Sequence, residues 1–172
     1  MPNLFNYDFL EFLELLGKHE VEYLLVGGYA VILNGYVRST GDLDLWVNKT
    51  DNNYSKLSKV YTDFGAPMFS NEEFNSDKFD VWSIGMEPTK IEILTHVDGL
   101  NFLESYKNCK FLNTQNFQVP YINYDDLLNK PKAVLYNSQS LSRVEQQQAR
   151  TNIGAGTSSF SGIYNDLSNK PT

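Results

Sequence analysis

Two aspartates stand one residue apart in Asp42-Leu43-Asp44-Leu45-Trp46-Val47, a stretch that opens by alternating polar and apolar residues. On a strand, residues two apart point to the same side, so Asp42 and Asp44 share one face while Leu43, Leu45 and Val47 turn toward a core. Neighbouring carboxylates repel unless a cation lies between them, and a divalent metal held by hard oxygen ligands meets that need. Upstream, the apolar run Tyr23-Leu24-Leu25-Val26 ends at Gly27-Gly28. Glycines between a strand and a helix let backbone amides approach an anion, and the helix N-terminus adds partial positive charge. An amide cradle followed by a paired-carboxylate metal clamp is equipment for phosphoryl or nucleotidyl transfer.

A third carboxylate is available. Glu92 lies between Ile91 and Ile93 in Lys90-Ile91-Glu92-Ile93-Leu94, so it faces away from the side those isoleucines bury. If that strand runs beside 42–47, Glu92 reaches the metal pair; otherwise it is a solvent-facing glutamate on an edge strand. Asp80 is the rival third ligand. Arg38 and Thr40 precede the aspartates. Arg38 suits either a triphosphate or surface acids, and Ser39-Thr40 suits either phosphate contact or an ordinary turn. His19, His96 and Asp98 read as polar loop residues.

These residues need a scaffold that alternates strands and helices. Phe5, Phe9, Phe12, Leu13 and Leu16 recur at helical spacing over 4–18, with Gly17 as a stop. A strand over 22–26, a helix over 29–36 and the strand 42–47 follow. Thr50 or Asp51 caps a helix to about Phe64, which Gly65 ends. Residues 66–80 read as a strand fragment and a loop. Strands are expected over 79–84 and 90–94, joined by the turn residues Gly85-Met86-Glu87-Pro88. Residues 99–107 form a helix or turn, 111–121 is strand-rich, and a helix begins near Tyr124.

The totals bound the class. The chain has 172 residues, 41% hydrophobic and 14% aromatic, with a net charge of −7. That supports one folded domain plus an extension and disfavours disorder for most of it. The acidic balance makes general DNA binding unexpected. One cysteine, Cys109, excludes an intrachain disulfide and fits a reducing compartment. No apolar run approaches the ~20 residues that span a bilayer, and the first residues lack the basic segment of a secretion signal. The expected location is cytoplasmic, with no membrane partner.

The diglycine after an apolar strand, thirteen intervening residues (29 to 41) and then Asp-Leu-Asp among apolar neighbours resemble the signature of the minimal nucleotidyltransferases, the polymerase-beta-like superfamily. The wording Val-Gly-Gly-Tyr-Ala-Val, then Gly-Tyr-Val-Arg-Ser-Thr-Gly-Asp-Leu-Asp-Leu-Trp-Val, is similar to a bacterial and phage branch related to abortive-infection and toxin–antitoxin nucleotidyltransferases. The resemblance implies an α/β (α+β) nucleotidyltransferase fold over residues 1–131, a mixed twisted sheet flanked by helices. It implies Asp42, Asp44 and Glu92 as catalytic and metal-holding residues, where the superfamily usually has aspartate at the third place. It further implies Gly27, Gly28, Arg38 and Thr40 as nucleotide-binding residues and Mg²⁺ or Mn²⁺ as cofactor. The implied substrates are an NTP and a hydroxyl acceptor on a protein, a tRNA end or a small molecule, with pyrophosphate released. Lys130 matches a lysine of that branch, whereas the later Arg-Lys-Asp group does not appear.

The chain changes character at Pro131. Residues 132–172 carry four basic side chains (Lys132, Arg143, Arg150, Lys170) and two acidic ones (Glu145, Asp166). That net of +2 leaves −9 of the total −7 on residues 1–131. The words Tyr124-Asp-Asp-Leu-Leu-Asn-Lys-Pro131 and Tyr164-Asn-Asp-Leu-Ser-Asn-Lys-Pro171 repeat forty residues apart, a period proper to stacked arrays. The segment resembles linking repeats of phage tail-fibre proteins and implies a fusion at the shared word. A loosely ordered, poorly packed extension with a short helix near 141–150 is expected there. Two other functions stand beside the enzyme: a catalytically weak, antitoxin-like module that binds nucleotide or a partner, and a structural fragment of a tail fibre.

Overall fold

The computed structural model describes residues 4–78, 80–114 and 116–128. Helix α1 (Tyr7–Lys18) starts where the Asn6 side chain accepts from the Phe9 amide at 2.9 Å. It buries the apolar stripe Phe9, Phe12, Leu13 and Leu16, one side chain per turn or so on a single face. The chain passes Gly17 and ends the helix one residue later, at Lys18. Strand β1 (Tyr23–Leu25) is buried throughout, and α2 (Gly27–Leu33) begins directly on the first glycine rather than at Tyr29. Strand β2 spans Asp42–Val47 as the alternation requires.

Helix α3 (Asp51–Phe64) is capped by the Thr50 hydroxyl, which accepts from the Asn53 amide, and ends at Gly65 in the left-handed region (φ 79°), where glycine carries no Cβ penalty. A short helix α4 (Asn71–Asn75) occupies part of the segment expected to be loop. Its signal is Ser70-Asn71-Glu72-Glu73, a capping box in which Ser70 and Glu73 satisfy each other's amides. Then come β3 (Val81–Ile84), β4 (Lys90–Leu94), α5 (Phe102–Lys107), β5 (Lys110–Asn113), β6 (Gln118–Tyr121) and α6 (Tyr124–Leu128).

The six strands form one mixed sheet in the order β3-β4-β2-β1-β6-β5. β2 and β4 run parallel, as do β1 and β6; the β1–β2, β3–β4 and β5–β6 pairs are antiparallel. The main core lies on one face, where α1 and α3 cover Leu43, Leu45, Val47, Ile91 and Ile93. A smaller cluster of Leu24, Val26, Trp46, Phe102 and Ile122 packs on the other. The expected mixed sheet flanked by helices is therefore the observed fold class.

Lys130, the segment 132–172 with its repeat and expected helix, and Phe79 at the start of the expected strand lie outside the described residues. Among the described residues no helix is long and apolar enough to cross a membrane.

One buried polar side chain ties α3 to the sheet. Asn53, 2% exposed, accepts from the Glu22 amide at 2.8 Å and donates to the Glu22 and Asn48 carbonyls at 2.9 Å each. Removing it leaves the Glu22 amide unmet, at a cost of about 1–3 kcal/mol, and takes one of two donors from each of the Glu22 and Asn48 carbonyls, which still accept from the Asn48 and Thr50 amides. Asn53→Ala is expected to lower unfolding stability by about 2–4 kcal/mol in urea titration without altering the secondary structure seen by circular dichroism.

Candidate functional site

The parallel β2–β4 ladder pairs Asp42 with Lys90, Leu43 with Ile91, Asp44 with Glu92 and Leu45 with Ile93. Apolar residues meet apolar residues on the core side, so the charged ones are forced together on the other. The result is a cluster in which Asp42, Asp44 and Glu92 each offer a carboxylate oxygen within 4.8 Å of the others. All three are half-buried. Glu92 thus lies beside the two aspartates, the placement expected if its strand ran beside 42–47, which the β2–β4 pairing provides. Asp80 does not: it is exposed and, with Lys49, Asp77, Thr95 and His96, borders a separate hollow.

The diglycine shapes the floor beneath Asp44. Gly27 has φ +61°, and a side-chain carbon there would overlap the Asp44 carboxylate. A carbon on Gly28 would overlap the Thr40 hydroxyl. Both positions require glycine, because backbone and polar side chains approach too closely for a Cβ. The Asp44 carbonyl accepts from the Val26 amide at 2.9 Å, joining β2 to the strand end just before the glycines. Thr40 donates to Asp42 Oδ1 at 2.9 Å, so its hydroxyl holds the orientation of the first carboxylate.

Two residues of the site escaped the sequence reading. Lys90 places its Nζ 2.7 Å from Glu92 Oε1, and the Ser83 hydroxyl on β3 lies 3.4 Å from the same oxygen. The signal for Lys90 was its position two residues before Glu92 on one strand, hence on the same face. Ser83 carried no local signal, since only the β3–β4 pairing sets it opposite Glu92.

The electrostatics follow from this crowding. Burial, then the charges of Asp42 and Glu92, push the Asp44 carboxyl up to about 6, against the opposing pull of the Gly28 amide. Burial and the Asp42 charge likewise raise the Tyr29 phenol. The Glu92 carboxylate holds the Lys90 ammonium above its ordinary value. Three carboxylates with one lysine leave a net negative pocket of hard oxygen donors, a set that suits a divalent cation. Asp42, Asp44 and Glu92 are the residues that would hold it.

Other candidates fall elsewhere. Arg38 is exposed and makes no ion pair among the described residues. His19 is no free loop residue: its Nε2 lies 2.8 Å from Asp63 Oδ2, which Lys18 also contacts at 2.8 Å. His96 pairs with Asp98 at 3.1 Å in an exposed loop. Cys109 is a free thiol.

No family model and no curated protein matches the chain. Among solved structures it is similar to a Thermotoga maritima protein provisionally described as a nucleotidyltransferase, at 13% identity and a TM-score of 0.46, over 85% of this chain and 82% of that one. A likeness of that degree fixes neither family nor chemistry.

Two outcomes follow from the geometry. Because the native state binds the Asp44 proton more tightly than the unfolded chain does, stability contributed there is greatest below the ordinary carboxyl value of 3.8 and falls as pH rises through about 6. In chelator-treated protein, Asp44→Asn is expected to raise stability at pH 7.5 by about 1–2 kcal/mol, once solvent screening of this half-buried group is taken into account, with the gain vanishing near pH 4. Denaturant melts at the two pH values check this. Gly27→Ala is expected to cost about 2–3 kcal/mol, against about 1 kcal/mol for Gly35→Ala, which shares a positive φ but meets open space. Equal losses in parallel thermal melts would remove the close-approach argument.

Proposed function

We propose that the chain transfers a nucleotidyl group from an NTP to a hydroxyl acceptor, releasing pyrophosphate, with Mg²⁺ or Mn²⁺ bound at Asp42, Asp44 and Glu92. The observation that carries this reading is the convergence of those three carboxylates within 4.8 Å, packed against a glycine turn that the Asp44 carboxylate and the Thr40 hydroxyl approach closely. A divalent ion held by Asp42, Asp44 and Glu92 would neutralise phosphate charge and favour in-line displacement at phosphorus.

The chain's own residues supply the rest. Asp42, steadied by the Thr40 hydroxyl, presents an oriented carboxylate without a rotamer search. Asp44, held against the Gly27 turn, presents the second. Glu92 either completes the carboxylate set or accepts the proton of the acceptor hydroxyl as a general base. Gly27 and Gly28, at the N-terminus of α2, are the nucleotide-binding backbone in this reading, and Arg38 offers an exposed guanidinium for the far end of a triphosphate. The acceptor classes in this reading are a partner protein, a tRNA end and a small molecule. Residues 1–131 are the transferase-like domain in this scheme and 132–172 an appended segment.

The test is a panel of alpha-labelled NTPs with Mg²⁺ or Mn²⁺ and bacterial lysate as acceptor source, using the full chain. Label transfer is expected with at least one nucleotide, falling about a hundredfold or more in Asp42→Asn and Asp44→Asn. Transfer that survives both substitutions would overturn the reading.

A further inference from the structure

The three carboxylates are not left alone in the structure. Lys90 and Glu92 are two residues apart on β4, so both side chains leave the same face, and the ladder sets Lys90 directly opposite Asp42. The ammonium therefore arises inside the acidic cluster. Its Nζ sits 2.7 Å from Glu92 Oε1, with only 26% and 22% of the two side chains exposed. Ser83 adds its hydroxyl to the same oxygen. Among the described residues, no other lysine or arginine pairs with a member of the cluster. Lys18 and Lys49 pair with Asp63 and Asp77 elsewhere.

That placement has a cost for any ion seeking the site. A divalent cation that takes Glu92 must either share the carboxylate with a full positive charge under 3 Å away or move it. Cations at that separation repel, and the lysine chain is a flexible four-carbon stem able to swing its head elsewhere. The nearest new source of negative charge, once ions are bound, is the phosphate chain of the substrate. We propose that Lys90 is the resident counter-cation of the site: it neutralises Glu92 until a divalent ion takes that carboxylate, then is displaced onto the phosphates of the bound nucleotide. Lys90 is thus a positioning residue that couples ion binding to phosphate binding. The inference rests on the nucleotidyl-transfer reading for the identity of the phosphate ligand.

The experiment uses the chelator-treated full chain. Free Mn²⁺ is followed by electron paramagnetic resonance during titration of the wild type, Lys90→Met, Lys90→Arg, Asp42→Asn and Asp44→Asn. Binding of inorganic triphosphate at saturating Mn²⁺ is then measured by calorimetry. Lys90→Met is expected to bind Mn²⁺ about fivefold more tightly and triphosphate about fivefold more weakly, whereas Lys90→Arg keeps both near wild type. A purely structural lysine would move both affinities down together. Should Lys90→Met prove poorly folded, Lys90→Gln takes its place, with the same expectation. Unchanged or weakened Mn²⁺ binding in both neutral variants overturns the role of Lys90. Mn²⁺ binding in the wild type that ignores Asp42→Asn and Asp44→Asn overturns the site itself, and the two failures are distinguishable.

Discussion

Like charges do not gather without something holding them, and the β2–β4 ladder is what holds Asp42, Asp44 and Glu92 together. Full charges about 5 Å apart repel by on the order of 3 kcal/mol per pair at an effective dielectric of ~20. The opposing term sits on the other face of the same strands. Leu43, Leu45, Val47, Ile91 and Ile93 are each essentially inaccessible to solvent, and burying each contributes about 1.5–3 kcal/mol. The apolar side of the ladder therefore outweighs the repulsion on the polar side. A slip of one residue would bury the carboxylates and expose the core, so register and site are one constraint.

The same strand face that carries the acids is covered further along. Trp46 and Leu94 continue the rows of Asp44 and Glu92 but pack in the smaller cluster with Phe102, against which the Trp46 ring stands edge-on at 5.2 Å. Past that point the face opens, and the carboxylates occupy the half-exposed stretch. Half-burial explains the chemistry of Asp44: enough water is excluded to raise its proton affinity, yet the oxygens remain reachable. A fully buried cluster would stay protonated, and a fully exposed one would show no such shift.

The turn between β1 and α2 supplies the complementary surface. Positive φ at Gly27 bends the chain beneath the Asp44 carboxylate, and Gly28 admits the Thr40 hydroxyl. Thr40 in turn orients Asp42. The glycine turn thus lies under one aspartate and, from the segment that precedes β2, admits the hydroxyl that orients the other, which links the diglycine to the carboxylates through contacts rather than through proximity alone.

Local pattern determined a good deal. Period-two alternation at 42–45 and 90–94 assigned faces to Asp42, Asp44 and Glu92. Thr50 and Gly65 marked both ends of α3, because caps and left-handed stops act within a few residues. The helix at Asn71–Asn75 was also legible in its capping box, although the mixed composition around it reads as loop. What the sequence could not decide was adjacency. That β4 lies parallel to β2 depends on a crossover through α3, α4 and β3, and no spacing rule encodes which strands become neighbours. Only the tertiary structure therefore separated Glu92 from Asp80, brought Ser83 to Glu92 across the β3–β4 pair, and seated Lys90 among the acids it opposes.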